Sequence, residues 1–202
     1  MPWDEGHAEN DPPTWHRHPL NKYIRKRTGG PLPGYMKRWE WQAEGHQGLQ
    51  RLNNLAPPYM GFPPASMANH VHFTHTATEE CEGHETCAYL IKDLQDKHMK
   101  EQGEPDIRYS FMISKDDRIF EGRGWDGMCN IAEPFTTFYT ASLEIALIGN
   151  YSKSKPPKPM IKTLKRLIEW GIVNKKLHCC YDKTYDYDLH NMYFGPSYPK
   201  NC

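Results

Sequence analysis

The sequence predicts an α/β fold in which helices cover a central β-sheet, because segments with strand periodicity alternate with segments with helix periodicity. Residues 85–101 carry apolar side chains at helical spacing, and Gly103 follows where such a helix should end. Residues 107–113 alternate apolar and polar side chains, which predicts a half-buried strand. A turn at residues 115–117 and a second strand at residues 118–121 are expected next.

Three further segments complete the predicted sheet and its covering helices. Residues 69–75 are interpreted as a short buried strand that turns at its end, where a side chain can point into a cleft. Residues 142–151 are rich in Ile and Leu and predict a central strand. Pro159 suits the first turn of a helix that should run to about Trp170 and end at Gly171.

The composition fits one domain with an appendage and excludes several classes of protein. The 25 basic and 25 acidic residues cancel, so no net field favours nucleic acid or an anionic membrane as a partner. No apolar run reaches the roughly 18 residues that a transmembrane helix needs. The first residues lack the basic and apolar regions of a secretory signal, which favours an intracellular protein, with a secreted protein as the alternative.

Residues 1–36 differ from the rest of the chain. They are punctuated by proline and carry scattered aromatic residues without any period. Such a segment cannot build its own core, so it should lie on its own domain or on a partner. Its Trp, Tyr and Arg residues are types that often anchor such contacts. We therefore expect residues 1–36 to form an extended tail that lies on another surface, and residues 37–202 to form the folded domain.

Six segments occur in an order that is typical of one family. They are residues 38–43 (Arg-Trp-Glu-Trp-Gln-Ala), 73–77 (Phe-Thr-His-Thr-Ala), Cys81 with Cys87, 106–111 (Asp-Ile-Arg-Tyr-Ser-Phe), 121–125 (Glu-Gly-Arg-Gly-Trp) and 142–150. Together they resemble the peptidoglycan recognition proteins, which are relatives of zinc-dependent N-acetylmuramoyl-L-alanine amidases. The resemblance implies a mixed β-sheet flanked by helices over residues 38–202. It also implies a small disulfide loop between Cys81 and Cys87, if the compartment is oxidising.

The resemblance implies where a zinc site would lie, but this chain has other residues at two of the three ligand positions. Active members bind zinc through two histidines and a cysteine, and the zinc-bound water reaches a pKa of ~7. Here Thr74 and Tyr198 stand at the first and third ligand positions, and His190 matches the second. Tyr109 matches a tyrosine that assists catalysis. A hydroxyl and a phenol of pKa ~10 are poor substitutes for an imidazole and a thiolate, which predicts neither bound zinc nor amidase activity.

Two residues could replace a missing ligand. His72 shares a strand face with Thr74, although it should lie roughly 7 Å away along the strand. Cys202 lies four residues after Tyr198. The sequence leaves open whether either residue does so. It also leaves open the redox states of four cysteines, namely Cys129, Cys179, Cys180 and Cys202.

Three functions therefore stay open. The favoured one is a non-catalytic, intracellular structural component of a large cytoskeletal or axonemal assembly, anchored by residues 1–36. The second is a receptor that binds muramyl peptide in a groove lined by Thr74, Tyr109, Trp125 and His190. The third is a zinc-dependent amidase that uses Tyr109. A disulfide in place of free thiols at residues 81 and 87 would favour a secreted receptor.

Overall fold

A computed structural model of the protein describes residues 32–41, 67–104, 106–125, 129–130 and 141–186. These residues form a short 3₁₀ turn (Arg38–Glu40), two helices and seven strands. The helices are α1 (His84–Lys100) and α2 (Lys158–Val173). The strands are β1 (Tyr35–Met36), β2 (Ala68–His75), β3 (Phe111–Ile113), β4 (Ile119–Glu121), β5 (Cys129–Asn130), β6 (Ala141–Leu147) and β7 (Leu177–Tyr185).

The strands form one mixed sheet in the order β1-β4-β3-β6-β2-β7, and β5 pairs with the first residues of β6. The β3–β4 and β5–β6 pairs are antiparallel, and the other pairs are parallel. Parallel strands require long connections, and each helix lies in one: α1 between β2 and β3, and α2 between β6 and β7, with one strand of the sheet between each pair. The mixed sheet flanked by helices confirms the predicted fold class. Within the described residues, neither helix is long and apolar enough to cross a bilayer.

The two faces of the sheet bury two separate cores. Side chains alternate along a strand, so Leu143, Ile145 and Leu147 of β6 meet α2, whereas Ala146 faces α1. The α2-side core also contains the buried face of that helix: Met160, Leu164, Leu167 and Ile168. The α1-side core joins the helix to β3, β4 and the 3₁₀ turn through Ile91, Met112, Phe120 and Trp41. The sheet is therefore covered on both sides.

The segment 107–113 differs from its prediction. Only Phe111–Ile113 form strand β3. Ser110 and Met112, which were expected on a solvent face, are both completely buried. The expectation of a half-buried strand was wrong because helices cover both faces of the sheet, so the alternation in sequence does not mark a solvent side.

Helix α2 also departs from its prediction. Gly171 lies inside the helix, which continues to Val173. A Cβ at Gly171 would lie 2.4 Å from Cη2 of Trp125, so the glycine permits close packing of the indole rather than ending the helix. Strand β6 likewise ends at Leu147, earlier than expected. Strand β7 was not predicted from the sequence; after the buried Leu177, its residues alternate between exposed and half-buried.

The boundary of the predicted tail needs a correction. Tyr35 and Met36 pair with Ile119 and Phe120 of β4, and Leu32 packs into the α2-side core. Residues 32–36 therefore belong to the sheet domain, because their backbone groups complete the ladder at its edge. The rest of the expected tail, residues 1–31, lies outside the described part of the chain.

A disulfide joins Cys81, which lies just before α1, to Cys87, which lies in the first turn of that helix. Replacing both by alanine should lower the free energy of unfolding by about 2 kcal/mol, because the bond closes a short loop in the unfolded chain. Urea unfolding of the double variant under oxidising conditions measures this loss. The free Cys179 offers the control, since Cys179→Ala should change the midpoint little. Equal losses in both variants would contradict the prediction.

Candidate functional site

One part of the sheet's α1 side is polar rather than apolar. Helix α1 packs over β3, β4 and the end of β6, whereas β2, β6 and β7 carry polar side chains on the same face. We call this surface the polar face and define it by six residues: His70, His72, Thr74, Glu144, Thr184 and Asp186. The register places His72 between Glu144 of β6 and Thr184 of β7, so three strands contribute neighbouring groups.

Asp186 joins the side chains of the polar face. Its backbone N–H donates to the carbonyl of Phe73 at 3.1 Å, which holds it directly after β7 and beside β2. One carboxylate oxygen accepts a hydrogen bond from His72 Nε2 at 3.0 Å, and the other accepts from the hydroxyl of Thr74. The second nitrogen of His72 lies 2.8 Å from Thr184 Oγ1. The Asp186 carboxylate therefore connects two residues of one strand.

Glu144 brings a second carboxylate to the polar face. It is only 7 % exposed, and Arg108 Nη2 lies 3.7 Å from its Oε1. Burial raises the pKa of this carboxyl, and the positive charge of Arg108 lowers it in part. The backbone of Glu144 is fixed by two hydrogen bonds with Ser110, so the residue is held rigidly beside β3.

Tyr109 interacts electrostatically with both carboxylates. Burial raises the pKa of its phenol to about 12, and the negative charges of Glu144 and Asp186 add to the effect. The phenol is therefore neutral at physiological pH and can act as a hydrogen-bond donor. The structure thus brings together two residues that the sequence analysis assigned to the site, Thr74 and Tyr109, around a pair of carboxylates that it missed.

Two residues fix the position of Tyr109. His98 of α1 accepts the N–H of Arg108 on its Nδ1 at 3.1 Å, and its ring packs edge-on against Tyr109 with 5.2 Å between centroids. On the other side, a Cβ at Gly122 would lie 2.2 Å from the carbonyl oxygen of Tyr109. Only glycine allows the two backbones to approach so closely.

Trp125 does not line the site, contrary to the sequence analysis. Its ring packs against Phe111 and Trp170, with centroids 4.6 Å and 5.5 Å away, and lies under Gly171. These contacts belong to the α2-side core, on the opposite side of the sheet from Thr74. The turn after β4 carries the chain across the end of the sheet, and a linear motif gives no sign of that crossing.

His75 takes a structural role, as expected for a residue on the face opposite Thr74. It is buried, and its Nδ1 accepts the backbone N–H of Tyr151 at 2.8 Å. Three other residues of the predicted site lie outside the described part of the chain: His190, Tyr198 and Cys202. Their expected roles stay predictions.

The described residues of the site do not fit the zinc centre that the family implies. Thr74 stands where the resemblance places an imidazole, and its hydroxyl donates to Asp186 rather than offering a ligand atom. The nearby imidazole of His72 has both nitrogens in hydrogen bonds to Asp186 and Thr184. A neutral hydroxyl that is engaged with a carboxylate is a weak zinc donor.

One other cluster has suitable spacing for a metal. Among the described side chains, His178, Cys179 and Cys180 are the only group of three whose ligand atoms lie within 4.8 Å of one another. However, Cys180 is bonded in a disulfide. A disulfide sulfur is not a thiolate, so this cluster lacks its third ligand.

The fold and the polar face define an amidase-like domain of the peptidoglycan-recognition class. Residues 64–186 match the family model of N-acetylmuramoyl-L-alanine amidases, Amidase_2, and the chain belongs to this family. The resemblance that the sequence analysis inferred from six segments is thereby confirmed.

The similar proteins include peptidoglycan recognition proteins. The chain is 32% identical over 107 residues to peptidoglycan-recognition protein SC1a of Drosophila melanogaster, a match that covers 53% of this chain and 56% of that protein. The matched region thus spans little more than half the length of that curated relative. The crystal structure of Drosophila PGRP-SD is 26% identical with a TM-score of 0.61, and the alignment covers 77% of this chain and 83% of that one.

A second similar structure contains a ligand. It is the ectodomain complex of the peptidoglycan recognition proteins LCa and LCx bound to tracheal cytotoxin, with 28% identity and a TM-score of 0.56. The alignment covers 75% of this chain and 82% of that chain.

The following side chains position or line the site but were not found from sequence: His70, His98, Arg108, Glu144, Thr184 and Asp186. One of them carried a usable signal, because Glu144 is a charged residue in the middle of an apolar strand. Such a residue is rarely buried without a reason. Asp186 had no comparable signal, since the strand that presents it was itself not predicted.

Proposed function

We propose that this domain is a non-catalytic receptor that binds muramyl peptide on its polar face. The observation that carries the proposal is the hydroxyl of Thr74 bound to Asp186, at a position where an amidase would need a zinc-binding imidazole. The fold supports binding, because the complex of relatives LCa and LCx with tracheal cytotoxin has the same architecture.

The polar face has the groups that such a ligand requires. A muramyl peptide exposes amides, hydroxyls and carboxylates. Tyr109 and Arg108 offer donors, and the carboxylates of Glu144 and Asp186 offer acceptors. Most of these groups are held by backbone contacts or by each other, so little conformational freedom would be lost on binding.

The disulfide between Cys81 and Cys87 supports an oxidising compartment, and hence a secreted receptor, because such bonds rarely persist in reducing compartments. The alternative role in a cytoskeletal or axonemal assembly depends on residues 1–36, most of which lie outside the described residues. That role stays a prediction. Deleting residues 1–31 tests it, because incorporation into the assembly should then be lost while the domain stays folded.

Isothermal titration calorimetry with soluble muramyl peptides tests the receptor proposal. We expect heat of binding with the wild-type chain and roughly a tenfold weaker affinity for Tyr109→Phe, which removes one hydrogen-bond donor and keeps the ring. Tyr89→Phe is the matched control, since this exposed residue of α1 lies outside the polar face and should bind like the wild type. The absence of heat with every muramyl peptide, or equal affinities for the two variants, would contradict the proposal.

A hydrolysis assay separates the receptor from the amidase. The wild-type chain, incubated with peptidoglycan and added zinc, should release no stem peptide. Release that a chelator abolishes would refute the non-catalytic assignment and restore the zinc-dependent alternative.

A further inference from the structure

The neutral net charge of the chain conceals a strong separation of charge across the sheet. Residues 151–178, which contain α2 and its flanking loops, include eight basic residues and one acidic residue. Residues 79–106, which contain α1, include nine acidic and three basic residues. Because the two helices pack on opposite faces of the sheet, the α2 segment gives one face of the described part of the chain a basic surface and the α1 segment gives the other an acidic one.

Six lysines of the basic side are exposed, and none of them forms an ion pair with another described residue. We call them the lysine face: Lys153, Lys155, Lys158, Lys162, Lys165 and Lys175. Three of them, Lys158, Lys162 and Lys165, follow each other at helical spacing along the solvent side of α2. The first turn of that helix has no acidic residue, so nothing there offsets the positive end of the helix dipole.

We propose that the lysine face docks the domain onto an anionic phospholipid surface. Lysine acts as a hydrated point charge with little directional preference. It therefore suits a surface of many phosphate groups better than a single ligand that is bound in one fixed orientation. The arginine of the same helix, Arg166, is engaged with Thr163 and the carbonyl of Pro33. The lysine face therefore contributes charge without a fixed recognition geometry.

The composition of this side favours lipid over single-stranded nucleic acid. Proteins that bind single strands combine basic residues with exposed aromatic side chains on which bases stack. Among the described residues, the exposed large apolar side chains are Trp39, Met67 and Tyr89, all outside residues 151–178. The apolar side of α2 is buried against the sheet, so the contact would be electrostatic and without insertion into the bilayer.

The separation of charge also orients the domain. Two helices with diameters of about 10 Å lie on either side of the sheet, so the acidic side is farther from the docked surface than one Debye length of about 8 Å at physiological salt. Its repulsion is therefore largely screened. The polar face lies on the α1 side of the sheet, so it points away from the lipid and stays open to ligand.

Co-sedimentation with vesicles tests the proposal. We use phosphatidylcholine vesicles with and without about a third phosphatidylserine, at about 0.05 M and about 0.5 M NaCl. The full chain should sediment only with the anionic vesicles and only at low salt. Neutralising three lysines in K158Q/K162Q/K165Q should weaken binding roughly 100-fold, because each loses its attraction to the surface.

The matched control neutralises three lysines on the other side of the sheet, in K97Q/K100Q/K115Q. It has the same net charge as the first triple variant and should bind anionic vesicles like the wild type. Equal loss in both variants, or no binding by the wild type, would overturn the proposal. So would sedimentation at low salt without vesicles, which would identify the acidic side of a second copy as the occupant.

This inference does not depend on the proposed function. Calorimetry with muramyl peptide should give the same affinity for K158Q/K162Q/K165Q as for the wild type, because the lysine face and the polar face lie on opposite sides of the sheet. If muramyl peptide binding fails in every form of the protein while vesicle binding behaves as expected, only the receptor proposal is refuted.

Discussion

Replacing Trp41 by alanine should lower the free energy of unfolding by about 3–5 kcal/mol, the largest single loss that we expect. The indole is completely buried and packs with Ile91 and Phe120 in the α1-side core. Its Nε1 donates to the carbonyl of Glu121 at 2.8 Å. Alanine would leave a large cavity and would also leave that carbonyl without its donor, so both losses act in the same direction.

The same short turn offers a matched control in Trp39. This residue is 68 % exposed, and the ammonium of Lys37 lies 5.8 Å from its ring centroid. Trp39→Ala should change stability by no more than about 0.5 kcal/mol. Urea unfolding followed by circular dichroism measures both variants. Similar midpoints for the two would show that Trp41 does not connect the turn to the domain as described.

These two tryptophans also show where sequence reasoning ends. The pattern of residues 38–43 placed the start of the domain correctly, but it could not tell which ring is buried. A 3₁₀ turn is too short to establish a periodic pattern, so burial there is decided by α1 and β4, which come much later in the chain. Longer elements had no such problem. Helix α1 was predicted within one residue at each end because its apolar positions recur over four turns.

The sheet was predictable where strands are apolar and was missed where they are mixed. Strand β6 followed from its Ile and Leu residues, whereas β7 carries His, Cys, Asp and Thr at its exposed positions. Among the described strands it lies at the edge of the sheet and pairs with β2 alone, so its composition resembles that of a loop. Missing β7 also meant missing Asp186.

The site was predictable residue by residue only where a motif supplied the position. Thr74 and Tyr109 came from the family resemblance; Thr74 is hydrogen-bonded to Asp186, and the charge of Asp186 acts on the phenol of Tyr109. Trp125 came from the same resemblance but lies in the core, because a motif records order along the chain and not the side of the sheet. Charge shows a similar limit. The net charge of zero argued against anionic partners, but it does not show that the fold places basic and acidic residues on different faces.

Lowering the pH from about 6.5 to about 4 should destabilise the domain by about 3 kcal/mol through His98 alone. Burial lowers the pKa of this imidazole to about 4, and the positive charge of Arg108 acts in the same direction. Arg123 and Lys97 add smaller effects of the same sign, and Glu104 opposes them. Between the two pKa values the unfolded chain binds a proton that the folded chain does not, so stability falls with pH. Below about 4 both states are protonated, and this contribution no longer changes.

His98→Asn isolates the effect, because the amide oxygen of asparagine can accept the N–H of Arg108 but does not titrate. Urea unfolding at several pH values gives the free energy of unfolding as a function of pH. Between about pH 4 and 6.5 this free energy should change more steeply with pH in the wild type than in the variant. The comparison is needed because Glu144 has a raised pKa and changes stability in the opposite direction in both proteins. Nuclear magnetic resonance titration of the ring should find His98 neutral at pH 5. An ordinary titration near 6.5, or identical slopes in the two proteins, would mean that α1 does not hold the Tyr109 segment through a buried neutral imidazole.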